Sequence, residues 1–248
     1  MILLTAAMLK AGSSWLYNMI NDLAVEAGYQ DGRVIRQKFH LEKYLSASDC
    51  TSRTLRIHRL AVIGIPILFG NTFATKTHGK PTFAVQRMID LRLMKAVYIY
   101  RDPRDVALSL YEHGDWIRRE GIPSSTRFDS LTSIDMAIEV AGYYVLLWEK
   151  WVGSNRALVI RYEDLIREPK NTMQKVCAHL SIVVPESNLE IVIQRYNKEN
   201  RANWQHDLHF NVGKIGRWVD QFSPSQKQLA QDLFKDYLPR MGYSQEDQ

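Results

Sequence analysis

The chain opens on an apolar run, Met1-Ile-Leu-Leu-Thr-Ala-Ala7, that reads as a buried strand. A short turn follows, Leu9-Lys10-Ala11-Gly12-Ser13-Ser14. Then comes an amphipathic helix with Trp15, Leu16, Met19, Ile20, Leu23, Ala24 and Ala27 on one stripe, and Gly28 as its stop. A strand, a tight glycine-containing turn and a helix N-terminus form a ready anion site. Free backbone N–H groups converge there and the helix dipole favours negative charge. Gly12 permits close approach of the backbone, Ser13 and Ser14 add hydroxyls, and Lys10 adds a point charge. Taken alone, the same turn is also an ordinary strand-to-helix connection with a serine N-cap.

The turn is not a Walker A loop, which places its lysine after the second glycine and adds a hydroxyl for magnesium. Here the order is K-A-G-S-S-W, with the lysine ahead of the glycine. No metal is therefore expected. A length of 248 residues favours one large domain, 1–248. Hydrophobic and charged contents of 46% and 24% are ordinary for a globular chain. The net charge of +5 comes from scattered basic residues, which suits a small anionic ligand better than nucleic acid. Cys50 and Cys177 have neither metal-ligand nor redox-motif spacing, so a reduced, cytoplasmic setting is expected. The apolar opening is too short for a membrane span and lacks a basic leader, so no membrane partner is expected.

Strand and helix signals alternate along the rest of the chain. Thr72 to Lys76 reads as a short strand ending in Lys76-Thr77-His78-Gly79, with a helix across 81–92. Residues 95–100 form an apolar strand that runs into Arg101-Asp102-Pro103-Arg104-Asp105, where Asp102 suits an N-cap and Pro103 a first helical turn. A long helix is expected over 134–152, a strand over 156–162, and helices over 169–181 and 186–196. Ser223-Pro224-Ser225-Gln226 announces a last helix through a capping box. Segment 54–69 is ambiguous and 28–52 shows no clear pattern. The alternation implies an α/β fold, a parallel sheet flanked by helices, with ligands at the carboxyl ends of the strands. Lys10, His78, Arg101 and Tyr162 all fall at such ends.

Four separated segments, in order, resemble those of cytosolic-type sulfotransferases that use 3′-phosphoadenosine 5′-phosphosulfate (PAPS). The turn K-A-G-S-S-W-L resembles the family's 5′-phosphosulfate loop, and K-T-H at 76–78 its catalytic-histidine segment. Y-I-Y-R-D-P-R-D-V-A-L-S at 98–109 resembles the 3′-phosphate signature, and G-K-I-G-R-W at 213–218 the C-terminal glycine loop. R-Y-E-D-L at 161–165 matches a segment near the adenine. The resemblance implies a P-loop-NTPase-like sulfotransferase fold. It also implies transfer of a sulfuryl group to a hydroxyl, less readily an amine, with 3′-phosphoadenosine 5′-phosphate (PAP) as product.

On the same resemblance, His78 is the general base, Lys10 stabilises the leaving group and Lys76 the sulfuryl oxygens. The turn from Lys10 through Ala11, Gly12, Ser13, Ser14 and Trp15 holds the 5′-phosphate. Arg101 and Ser109 hold the 3′-phosphate, with Gly213, Lys214 and Arg217 in support, because Asn211-Val212 stand where the family carries an Arg-Lys pair. Tyr162 lies near the adenine and Tyr196 is a stacking candidate. The acceptor is a small molecule or glycan, lined by 28–72 and 112–133. Phe39, Tyr44, Phe69 and Trp116 there suit an apolar body, and Arg118, Arg119 and Arg127 an acidic one. A P-loop-type nucleotide kinase and a non-catalytic PAP-binding module are the alternatives.

Overall fold

A computed structural model describes residues 1–121, 128–197 and 214–244. In chain order the elements begin with β1 (Ile2–Ala7), α1 (Ser13–Glu26), α2 (Gly32–Lys38), β2 (Thr51–Ser52), α3 (Ile57–Ile63) and α4 (Ile65–Leu68). They continue with β3 (Phe73–Thr77), α5 (Phe83–Asp90), β4 (Met94–Tyr100), α6 (Pro103–Arg119), α7 (Ile134–Ser154) and β5 (Ala157–Arg161). Next come α8 (Tyr162–Arg167), α9 (Pro169–Leu180) and α10 (Glu186–Arg195). The last are α11 (Trp218–Gln221), α12 (Pro224–Phe234) and α13 (Leu238–Met241). The chain divides into two compact units, Met1–Tyr100 with Glu149–Phe210, and Arg101–Trp148 with Asn211–Gln248.

The first unit holds a five-stranded sheet in the order β2-β3-β1-β4-β5. Every pairing is parallel, as the alternating sequence pattern requires. β1 is central and wholly buried, which accounts for its run of apolar residues, Thr5 excepted. Ile2, Leu3 and Leu4 are at most 1% exposed, and each such side chain contributes roughly 1.5–3 kcal/mol of transfer free energy. Helix α1 packs on β1 and β3, and α9 on β4 and β5. Tyr98 of β4 stacks on Trp151 with ring centroids 5.6 Å apart. The Trp151 indole N–H donates to the Gly79 carbonyl at 3.0 Å, fixing the loop after β3.

The register places Ala6 opposite Thr77 and Tyr98, so the carboxyl ends of β1, β3 and β4 form one edge. The turn before α1 and the segment after β3 both leave from that edge. Phe69 lies at the other one. It precedes β3, next to Asn71 and Thr72, which accept hydrogen bonds from the Met1 amine, and its ring meets Phe39 at 5.6 Å. The aromatic pair expected to line the acceptor therefore sits at the amino edge of the sheet.

In the second unit, α6 begins as its sequence announces. Asp102 caps it by accepting from the Arg104 amide at 2.9 Å, and Pro103 fills the first turn. The Ser223–Gln226 capping box of α12 is formed in both directions. Among the described residues no helix is long and apolar enough to cross a membrane.

Candidate active site

The connection between β1 and α1 turns sharply. Lys10 has φ +62° and Gly12 φ +79°. Both lie in the left-handed region, which glycine adopts without the Cβ penalty. Gly12, not a serine, is the N-cap of α1. A Cβ at Gly12 would come within 2.9 Å of the Tyr162 ring, so the close approach expected there is an approach to an aromatic side chain. Ser13 is the first helical residue and no acidic side chain occupies the first turn of α1. The first-turn amides have no acceptor within the helix and suit an anion.

β3 and the residue that follows it supply the next two groups. Lys76 and Thr77 are the last two residues of β3, so their side chains point to opposite faces, and His78 follows directly after the strand. Thr77 is fully buried and its hydroxyl donates to the Ser52 carbonyl at 3.0 Å, tying this segment to β2. His78 Nδ1 lies 3.1 Å from the Ala7 carbonyl. A carbonyl only accepts, so Nδ1 carries the proton and Nε2 presents a lone pair. Nε2 faces the Ser13 hydroxyl at 3.5 Å. Burial and the nearby Lys76 charge push the imidazole down to about 4, so it is neutral near pH 7.

Lys76 is 4% exposed, and its ammonium pairs with the Asp49 carboxylate and donates to Ser14 Oγ at 2.8 Å. Asp49 also accepts from Ser14 Oγ at 3.0 Å, Ser46 Oγ at 2.8 Å and Thr51 Oγ1 at 2.6 Å. Burial alone would raise the Asp49 carboxyl. The Lys76 ammonium and the hydrogen bonds from Lys76, Thr51 and Ser46 outweigh it and hold the group well below its usual range. Burial lowers Lys76, and Asp49 opposes that shift. An ammonium has three donors, and two are directed at Asp49 and Ser14. Asp49 is the group sequence reasoning missed. The one clue to it is that a lysine buried on a strand needs a carboxylate.

Tyr162, 3% exposed, packs against the Gly12 turn and meets Trp15 edge-on with centroids 6.2 Å apart. Tyr196 is 5% exposed. Its carbonyl accepts from the Trp15 indole at 3.1 Å and its hydroxyl donates to Asp22 at 2.9 Å. Both tyrosines thus brace α1, Tyr162 at its first turn.

In the second unit, Arg101, Asp105 and Ser109 follow one another at helical spacing and are all buried. Arg101 Nη2 donates to Asp105 at 3.0 Å and to the Lys214 carbonyl at 2.8 Å. The Asp105 carboxylate accepts from the amides of Gly216 at 2.9 Å and Trp218 at 3.3 Å. One carboxylate therefore fixes both the arginine and the 214–218 loop. Arg104 lies 3.9 Å over the Trp218 ring and is bonded to Asp102. Arg217 pairs with Glu112 on α6. Lys214 is exposed. Gly213 and Arg127 lie outside the described residues.

A family model for the sulfotransferase domain matches residues 2–243. The chain belongs to the sulfotransferase family. Its relatives are distant. Sulfotransferase 1A1 of Bos taurus is 27% identical over 173 residues, covering 62% of this chain and 58% of the relative. Sulfotransferase 6B1 of Danio rerio is 22% identical over 157 residues, covering 58% and 52%. The alignments thus span a little over half the length of these relatives. A mouse sulfotransferase solved in complex with PAP shares the fold with a TM-score of 0.62 at 18% identity, covering 96% of this chain and 84% of that one. Within the sulfotransferase frame, the expected P-loop-like strand–turn–helix and parallel sheet are both present.

Proposed function

We propose that this sulfotransferase moves a sulfuryl group from PAPS to the hydroxyl of a small-molecule or glycan acceptor, residues 1–248 acting as one domain. The observation that carries the reading is the carboxyl end of β3 and the residue after it. It combines a neutral imidazole of fixed tautomer with a protonated, buried lysine, beside a helix whose own first turn contributes no acidic residue. His78 Nε2 takes the proton as the acceptor oxygen bonds to sulfur. The bond from sulfur to the 5′-phosphate oxygen breaks, and PAP and a sulfate ester leave. Lys10 and the amides of the 10–15 turn receive the charge that builds on the leaving oxygen. The third Lys76 donor serves the sulfuryl oxygens. Most of the catalysis is positioning and electrostatics rather than covalent chemistry.

For the 3′-phosphate, the reading assigns Arg101 and Ser109, with Lys214 and Arg217 of the loop that Asp105 organises. The buried guanidinium and its planar fork suit a phosphate. Tyr162 acts by shaping the Gly12 turn near the nucleotide. Calorimetric titration with PAP against adenosine monophosphate, in chelator, tests the donor site. Binding that requires the 3′-phosphate and weakens in Arg101→Ala supports the reading; equal binding of both nucleotides overturns it. His78→Ala should keep PAP affinity and lose sulfuryl transfer.

A further inference from the structure

We propose that the rim beside His78 selects anionic amphiphiles as acceptors: hydroxyl compounds with an apolar body and a carboxylate or similar anionic group. The inference deepens the sulfotransferase reading and rests on it. Two loops build the rim, one between β2 and α3, the other between β3 and α5. They are laced together. Thr77 Oγ1 donates to the Ser52 carbonyl at 3.0 Å, and Thr82 Oγ1 to the Leu55 carbonyl at 2.8 Å. A Cβ at Gly79 would lie 4.0 Å from the Leu55 amide. Leu55 itself is 3% exposed and anchors the first loop in the core.

The side chains these loops present are of two kinds. Ile57 and Phe83, the first residues of α3 and α5, are 74% and 77% exposed. Arg53, Arg56 and Lys80 are exposed as well. Among the described residues none of these three cations has a carboxylate or other hydrogen-bond partner. No aspartate or glutamate occurs between residues 50 and 89. Asp49, which precedes this stretch, is committed to Lys76. The backbone that carries Lys80 and Phe83 is the continuation of the segment that carries the base.

Large exposed apolar side chains offer area to an apolar body. Unneutralised cations around them favour an anion and repel a cation. A neutral acceptor would use only the first feature. A protonated amine would be opposed by the second, which gives a physical ground for hydroxyl over amine.

The test is binding to the PAP-saturated protein, with ω-hydroxydodecanoate, its methyl ester and ω-aminododecanol as probes at low salt. With each exposed charge worth a fraction of a kcal/mol, the carboxylate should bind about tenfold more tightly than the ester. The ammonium probe should bind most weakly. The triple variant Arg53→Gln, Arg56→Gln, Lys80→Gln should bind PAP unchanged and lose the preference for acid over ester. Phe83→Ser should weaken acid and ester alike. Equal affinity for acid and ester, discrimination that survives the triple substitution, or no binding of either probe once PAP is bound would overturn the proposal. Failure to bind PAP at all, seen in the first step, would sink the donor reading and this inference with it.

Discussion

Replacing Asp49 by asparagine probes the buried ion pair most directly. The side chains of Lys76 and Asp49 are 5% and 13% exposed, so water does little to screen the loss. The amide keeps its shape and one acceptor oxygen. Its NH2 would turn toward Ser46 and Thr51, whose hydroxyls can accept, and its oxygen toward Lys76 and Ser14. What disappears is the charge. Breaking one side of a buried pair costs about 3 kcal/mol, which here should lower the urea midpoint clearly at neutral pH. The pH dependence gives the sharper test. The Asp49 carboxyl is held low, so its contribution is present throughout the range above ordinary carboxylate titration. Lys76 is already lowered by burial, and without Asp49 it falls further. A lysine lowered in the folded state opposes folding while protonated, and the penalty fades as pH rises toward its unfolded value of about 10.4. The deficit of Asp49→Asn should therefore shrink between about pH 7 and about pH 9.5. Lys76→Met in the same background should recover part of it. An unchanged midpoint at neutral pH, or a deficit equal at both pH values, would refute the reasoning.

Three further outcomes are expected. Because burial and Lys76 hold His78 down to about 4, kcat/KM should rise through that region as the base loses its proton and stay level from pH 6 to 8; an inflection near the ordinary histidine value of about 6.5 would show the imidazole is not so held. Gly12→Ala must adopt φ +79° and meet the Tyr162 ring at 2.9 Å. It should cost about 1–3 kcal/mol in thermal or urea unfolding, and less in a Tyr162→Leu background, where only the backbone strain remains. Asp105→Asn removes a charge that is 1% exposed and holds Arg101 with the amides of Gly216 and Trp218. A loss of about 3 kcal/mol is expected, with faster hydrogen exchange at those two amides; unaltered exchange would show that other groups order the loop.

Elements with local punctuation were legible in the sequence. Asp102-Pro103 and Ser223-Pro224-Ser225-Gln226 state their helix starts within four residues, and both are formed. Segment 28–52 was not legible because tertiary bonds build it. The short helix α2 starts where the Gly32 amide donates to Asn21 Oδ1 and Asn21 Nδ2 donates to Asp31. β2 has two residues, too few for any periodicity, and exists by pairing with β3. Tyr162 reads as the end of a strand by its apolar neighbours. It begins α8 instead, where Glu163 and Asp164 suit the positive end of the helix dipole. In the site, K-T-H at 76–78 was readable through its resemblance to the family's catalytic-histidine segment. Asp49 carries no such mark, since its partners come from α1, β2, β3 and the loop before it.

Lys76 lies in β3 and His78 one residue past its end, yet near pH 7 they carry opposite protonation states. Burial pushes both toward the neutral form, so burial cannot be what separates them. The partners do. Lys76 faces a carboxylate that three hydroxyls help keep ionised, and the pair holds the ammonium. His78 faces a backbone carbonyl, which fixes a tautomer without supplying a full charge, and the Lys76 ammonium adds to the shift downward. The charged lysine thus helps to keep its neighbour a base. Under the proposed function, this pairing gives the end of β3 a proton acceptor for the incoming oxygen and a fixed cation for the group in flight.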